Sequence, residues 1–72
     1  MSRGDMMITF EPLWGTMAEK GVSSYYLREK CGIDSKTIRR MKANENLETK
    51  TLYKLCKALD CSISDIIEYQ KD

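Results

Sequence analysis

The fold is decided by the stretch from Ser24 to Ala43, which reads SYYLREKCGIDSKTIRRMKA. It predicts two short helices, over about 24–31 and about 35–43, joined by a turn at Gly32. The apolar positions of this stretch are Leu27, Cys31, Ile33, Ile38 and Met41. Two apolar anchors on the first helix, one in the turn and two on the second are typical of helices that cross at a steep angle. Gly32 permits the positive φ that such a turn requires because it has no Cβ.

The second of these helices has a basic outer face. Asp34 is the expected N-cap, and Ile38 and Met41 are expected to point inward. At about 100° per residue, the opposite side of the helix then carries Lys36, Arg39, Arg40 and Ala43, with Ser35 at the exposed start. The segment 35–42 contains four positive charges and no acid. Such a face suits the major groove of DNA, where an arginine donates two hydrogen bonds to guanine O6 and N7. A basic face is more often simply solvated, but its position on the second helix of a glycine-centred pair favours DNA.

Flanking segments predict three more helices. The first carries one apolar stripe, has Pro12 in its first turn and ends at Gly21. A fourth helix is expected to begin at a Thr49 cap and to carry Leu52, Leu55, Cys56 and Leu59 on one face. Ser62 and Asp65 form a capping-box pair for a fifth helix. The first stripe consists of Phe10, Leu13, Trp14, Met17 and Ala18, and the inner face of the fifth helix of Ile63, Ile66 and Ile67.

These elements predict an all-α, compact five-helix bundle formed by a single domain over residues 10–72, preceded by an N-terminal arm over residues 1–9. The alternation from Ile8 to Phe10 leaves open whether part of the arm is a short strand or an extended segment. Trp14 is expected to be the central core aromatic. A chain of 72 residues is too short for more than one domain.

The composition excludes most catalytic and metal sites. The chain has no histidine, and its three cysteines form no C-x-x-C pair. Serine and cysteine nucleophiles that rely on histidine are therefore excluded, as are Cys/His zinc sites. We expect no enzymatic activity, cofactor, metal, small-molecule ligand or membrane span.

The odd cysteine count and the lack of a signal peptide predict a reduced, cytoplasmic protein in which the thiols are small core residues. A thiol sensor that uses Cys56 and Cys61 is an open alternative.

The net charge of +1 hides an uneven distribution. Residues 1–19 carry one base and three acids, residues 20–54 nine bases and four acids, and residues 55–72 two bases and four acids. The middle segment, which contains the helix pair, is therefore the positive part of the chain. Non-specific DNA affinity is expected to be modest and strongly dependent on salt.

The run GVSSYYLREKCGIDSKTIRRMKANENLETKTLYKLCKALDCSISDII, from Gly21 to Ile67, resembles the phage-repressor/Cro-like (Xre-type) helix-turn-helix family. With the PLW segment before it, the likeness extends to about residue 10, and it is closest to short stand-alone single-domain regulators. The resemblance implies a lambda-repressor-like DNA-binding bundle whose second and third helices form the reading unit. It also implies a transcriptional regulator, expected to be a repressor, with a double-stranded DNA operator as partner.

The resemblance also implies individual roles. It assigns base reading to Ser35, Lys36 and Arg40, with Arg39 beside them on the groove-facing side, and backbone contacts to Ser24, Lys42, Asn44 and Lys50. Tyr25 and Arg28 are further candidates for backbone contacts because of their own positions in the second helix. Arg28 departs from the family, since many members carry alanine there, and its stem is expected to lie along the helix pair. Glu45 and Glu48 place acids beside the expected phosphate contacts, which weakens them.

A homodimer on a pseudo-palindromic site is expected because one module this small makes few contacts. The candidate interfaces are the fifth helix, Tyr69 and the segment from Met6 to Phe10. The modest net charge and the two glutamates leave an alternative open: a protein-interaction module of the same fold, antirepressor-like or antitoxin-like, without significant DNA contact.

Overall fold

The computed structural model describes residues 6–71, and the side chains of residues 7–70. Residues 1–5 of the predicted arm lie outside the described residues. Over residues 6–71, four α-helices and one 3-10 helix lie between two short strands. The elements are β1 Met6–Thr9, α1 Glu11–Lys20, α2 Ser24–Lys30, α3 Ser35–Lys42, α4 Thr49–Leu59, the 3-10 helix Ile63–Asp65 and β2 Glu68–Lys71.

Local capping signals explain where most of the helices begin and end. Gly21 ends α1 with a left-handed backbone (φ 68°), as predicted. Ser23 is the N-cap of α2, and its Oγ accepts a hydrogen bond from the Tyr26 backbone N–H at 3.1 Å. One predicted cap is wrong: Glu48 occupies the N-cap position of α4, and Thr49 is the first helical residue.

The core is a single cluster to which every α-helix contributes, and α1 packs against both α4 and the 3-10 helix. Its fully buried large side chains are Leu13, Leu27, Met41, Leu55, Leu59 and Ile66. The predicted inward positions Ile38 and Met41 are confirmed. Phe10 is the buried aromatic residue, whereas Trp14 is only partly buried at the edge of the cluster and Ala18 is exposed. The expected central tryptophan and the full width of the first apolar stripe are therefore wrong.

The predicted fifth α-helix is wrong. The capping box at Ser62 and Asp65 forms, but only the 3-10 helix follows it, and Ile63 on the expected inner face is exposed. The chain then extends into β2, which pairs antiparallel with β1 from Met6 opposite Lys71 to Thr9 opposite Glu68. Isoleucine loses side-chain freedom in a helix and fits a strand better, so the local sequence resists helix continuation. The fold is thus four helices with a two-stranded sheet.

Two hydrogen bonds connect the ends of the chain to the helical body. The backbone N–H of Phe10 donates to Oδ1 of Asn44 at 2.8 Å, which joins the end of β1 to the residue beyond α3. The hydroxyl of Thr16 donates to the carbonyl oxygen of Asp65 at 2.7 Å, which joins α1 to the 3-10 helix. Asn44 has a positive φ of 57°, a conformation that asparagine tolerates better than most residues. The segment after β1 is therefore held against the end of α3, and the segment before β2 is held against α1.

Candidate nucleic-acid interface

The turn between α2 and α3 is set by backbone bonds to one residue. The N–H groups of Cys31 and Ile33 both donate to the carbonyl oxygen of Leu27, at 3.2 and 3.1 Å. Gly32 lies between them with a φ of 72°, which agrees with the need for a residue without Cβ. Leu27 and Ile33 are buried, so the first helix and the turn are both anchored in the core. This arrangement fixes the start of α3 relative to α2.

The outer face of α3 is exposed along its whole length. Its buried residues are Ile38 and Met41. The exposed residues are Ser35, Lys36, Arg39, Arg40 and Lys42. All four residues predicted to read bases are therefore on the surface, on the side of the helix away from its core anchors.

Several predicted DNA contacts from the two helices meet in one hollow. This hollow has a volume of about 260 Å³ and lies between α2 and α3. It is lined by Ser24, Arg28, Ser35, Ile38, Arg39 and Lys42. Lys36 and Arg40 do not line it; they are one helical turn apart from each other on the outer side of α3. The exposed residues of α3 thus form two groups. Ser35, Arg39 and Lys42 line the hollow with α2, whereas Lys36 and Arg40 lie outside the hollow.

Asp34 holds the N-terminus of α3. Its carboxylate accepts a hydrogen bond from the Thr37 backbone N–H at 2.8 Å, as expected of an N-cap. Hydrogen bonds from the Thr37 side chain and backbone lower the pKa of Asp34 from its usual 3.8, and the positive charges of Lys36 and Arg40 lower it further. The folded state therefore favours the ionised form of the Asp34 carboxylate.

Asp34→Ala is expected to lower the midpoint of thermal unfolding at pH 7. Asp34→Asn is expected to unfold at a midpoint close to that of wild type. Asparagine caps about as well as aspartate, but alanine accepts no hydrogen bond. Because the folded-state pKa of Asp34 is lowered, its stabilising contribution is present above pH 3.8 and is lost as the pH falls through the folded-state value. Circular dichroism melts of the three proteins at pH 7 and in acid measure both effects. Wild type that keeps its full advantage over Asp34→Ala in strong acid would contradict this account of the cap.

The N-terminal part of α2 presents an aromatic residue and a cation together. Tyr25 is 63% exposed. The guanidinium carbon of Arg28 lies 5.9 Å from the centroid of the Tyr25 ring, within the range of a cation–π contact. Arg28 also lines the hollow beside α3, which agrees with a stem that runs along the helix pair. Both residues are accessible to a phosphate backbone.

The remaining two predicted backbone contacts lie beyond α3 and differ in accessibility. Lys50 is exposed in the first turn of α4. Asn44 is partly buried, and its Oδ1 is occupied by the Phe10 N–H, so only the amino group of its side-chain amide remains for a phosphate. Sequence reasoning missed this bond because it joins residues 34 positions apart. The preference of asparagine for left-handed backbone was the only local signal at that position.

No helix within residues 6–71 is long and apolar enough to cross a membrane. Within the same residues, no group of three or more His, Cys, Asp or Glu side chains is placed to hold a metal ion.

Known proteins place this helix pair in a family. Residues 12–72 match the sequence model of the Cro/C1-type HTH DNA-binding domain, a range that includes all of α2 and α3. The structure is similar to the crystal structure of transcriptional regulator VanUg (form II), with a TM-score of 0.85 and 26% sequence identity. That likeness covers 100% of this chain and 96% of the other. No curated protein matches the chain. With the family model matched over residues 12–72, the chain belongs to the Cro/C1-type helix-turn-helix DNA-binding domain family.

Proposed function

We propose that the chain is a sequence-specific regulator of transcription that inserts α3 into the major groove of double-stranded DNA. The observation that carries the proposal is the exposed basic face of α3, held outward by the buried Ile38 and Met41. The major groove is about 12 Å wide and admits a helix of this kind. A binding role agrees with the family and needs no catalytic residue.

Base reading is proposed for the residues on the outer face of α3. Arg40 and Arg39 carry guanidinium groups that match guanine O6 and N7, and Lys36 donates to the same acceptors. Ser35 lies at the N-terminus of the helix, the part that contacts base edges in helix-turn-helix proteins. Support comes from the exposure of all four residues.

Phosphate contacts are proposed on both sides of this face. Ser24 and Arg28 of α2 and Lys42 of α3 line the same hollow. The phosphate backbone of one DNA strand beside the groove can therefore contact all three. Such contacts set the register of the protein on the duplex without reading sequence. Tyr25, Asn44 and Lys50 complete the proposed set.

We further propose that two copies bind one pseudo-palindromic operator. Single DNA-binding modules bury about 600–1,000 Å² each, and paired half-sites lie about 34 Å apart or a multiple of that distance. The sheet takes the place of the expected fifth helix as the proposed dimer surface. Met7 and Ile8 on β1 are 49% and 47% exposed, and Tyr69 lies opposite Ile8 on β2. Repression follows most directly, because it requires only that the operator be occupied.

Selection of bound sequences from a random duplex pool tests this function, since it reports both specificity and the symmetry of the site. No retention of any duplex at about 50 mM salt, where counterion release favours binding, would support the protein-interaction alternative. An asymmetric selected site would contradict the dimer and leave DNA reading in place.

Lys42→Ala is expected to weaken binding to operator and random duplex by similar factors. If Lys42 contacts a phosphate, its loss reduces the slope of log affinity against log salt by about one. Lys54→Ala is the matched control, because it removes the same charge from α4 outside the hollow. Titrations by fluorescence anisotropy at several salt concentrations measure the slopes. A loss confined to the operator would assign Lys42 to base reading instead.

A further inference from the structure

Cys56 and Cys61 are brought together by the way α4 ends. Asp60 adopts a left-handed backbone with a φ of 51°, and the Cys61 N–H donates to the carbonyl oxygen of Cys56 at 3.1 Å. This bond from the second residue beyond the helix back to its last turn is the hallmark of a Schellman motif. In that motif a contact between the side chains of these two positions is frequent. The backbone bond therefore brings Cys61 back beside Cys56.

The side-chain environment agrees with this contact. Both cysteines are partly buried and pack against the core cluster, so each keeps some access to solvent. Burial raises the pKa of the Cys61 thiol, and the neighbouring Cys56 thiol raises it further. Asp65 raises this pKa as well, and Lys20 of α1 lowers it. The two cysteines are thus neighbours at the partly buried end of α4.

We propose that Cys56 and Cys61 are a redox pair that forms an intrachain disulfide when the protein meets a peroxide. One thiolate attacks hydrogen peroxide, which yields a sulfenic acid on that sulfur and releases hydroxide. The second thiol then attacks the sulfenic sulfur and forms the S–S bond. The hydroxyl group of the sulfenic acid leaves with the proton of the second thiol as one water, and the released hydroxide takes up the proton of the first thiol as the other. Two thiols and one peroxide therefore give one disulfide and two waters.

The crosslink has a defined structural effect. It closes a short loop over residues 57–60 and joins the last turn of α4 to the segment that leads into the 3-10 helix. That helix is already joined to α1 by the bond from Thr16 to Asp65, so oxidation fixes it on two sides. Cys31 lies in another hollow, with Lys30, Tyr53, Lys54, Lys57 and Ala58, and stays a thiol. Neither cysteine of the pair lines the hollow between α2 and α3, so the crosslink is expected to leave this hollow unchanged.

Mass spectrometry of the full chain treated with hydrogen peroxide tests the pair. The intact mass is expected to fall by two hydrogens and to return after dithiothreitol. Tryptic digestion without reduction is expected to yield fragments 55–57 and 58–71 joined by the disulfide. The Cys31→Ser protein is expected to behave in the same way, and its oxidised form to melt roughly 10 °C higher than its reduced form. Cys61→Ser removes the pair and is expected to show neither change.

The reaction is expected to be faster at higher pH because the thiolate is the nucleophile, and the raised pKa of Cys61 favours the thiol form of this cysteine at neutral pH. Retention of both thiols after prolonged treatment would overturn the proposal. A disulfide between two chains, a bond that includes Cys31, or a sulfinic acid on one cysteine with the other unchanged would overturn it as well.

Discussion

Arg40→Ala is expected to weaken binding to the selected operator by about 1–3 kcal/mol and to relax specificity at one base pair. Arg40 is exposed on the outer side of α3 and lies outside the hollow that α3 shares with α2. A guanidinium in that position donates two parallel hydrogen bonds to guanine, and alanine donates none. Competition binding against operators with each base pair replaced in turn measures both the loss and the position. Equal losses on operator and random duplex would contradict base reading by Arg40.

One further variant of Arg40 and one control separate the effect of the side-chain shape from the effect of the charge. Arg40→Lys keeps the positive charge but loses the two-pronged geometry, so it is expected to lose specificity and retain most non-specific affinity. Lys54→Ala loses a charge on the exposed side of α4 and is expected to leave specificity unchanged. If Arg40→Lys bound as specifically as wild type, the two-pronged geometry of Arg40 would not be the source of its specificity.

Leu27→Ala is expected to leave much of the protein unfolded at 25 °C. In α2, all of which the structure describes, Leu27 alone is buried, and it is 0% exposed. Leucine-to-alanine changes in a core cost about 2–5 kcal/mol, while domains of this size rarely gain more than about 3–5 kcal/mol from their core. Urea denaturation followed by circular dichroism measures the change in the free energy of unfolding.

Lys30→Ala is the matched control for Leu27→Ala on the same helix. Lys30 is exposed, and substitutions at such positions usually change stability by less than about 0.5 kcal/mol. DNA binding by Leu27→Ala should fall with the folded fraction, because α2 and the turn lose their anchor. A folded Leu27→Ala protein with normal affinity would show that the turn and α3 anchor the helix pair without Leu27.

The helices were predictable from sequence because their signals are local. Gly21 and Asp34 each have a backbone or capping preference that acts within a few residues, and the structure confirms both positions. The apolar spacing at Ile38 and Met41 likewise determined which side of α3 is exposed. The exposure of the candidate DNA-reading face could therefore be inferred before the fold was known.

The sheet and the linkage of the chain ends could not be predicted in the same way. The strand from Glu68 to Lys71 needs a partner about sixty residues away, and its own sequence follows a capping box that normally begins a helix. The bond from Phe10 to Asn44 also depends on a distant contact. The hollow that Arg28 shares with Arg39 and Lys42 depends on the crossing of α2 and α3, which spacing alone does not specify.

The pairing of Met6 with Lys71 also bears on the connectivity of the chain. Paired strands lie about 4.7–4.9 Å apart, so a loop of a few residues can join the two ends of the described chain. New termini can then be opened at an exposed turn such as Gly21, between α1 and α2, with every helix still packed against the same neighbours. The order in which the helices occur along the gene is therefore separable from the way they pack. Circularly permuted forms of the protein can therefore keep α2, the turn and α3 as one uninterrupted segment.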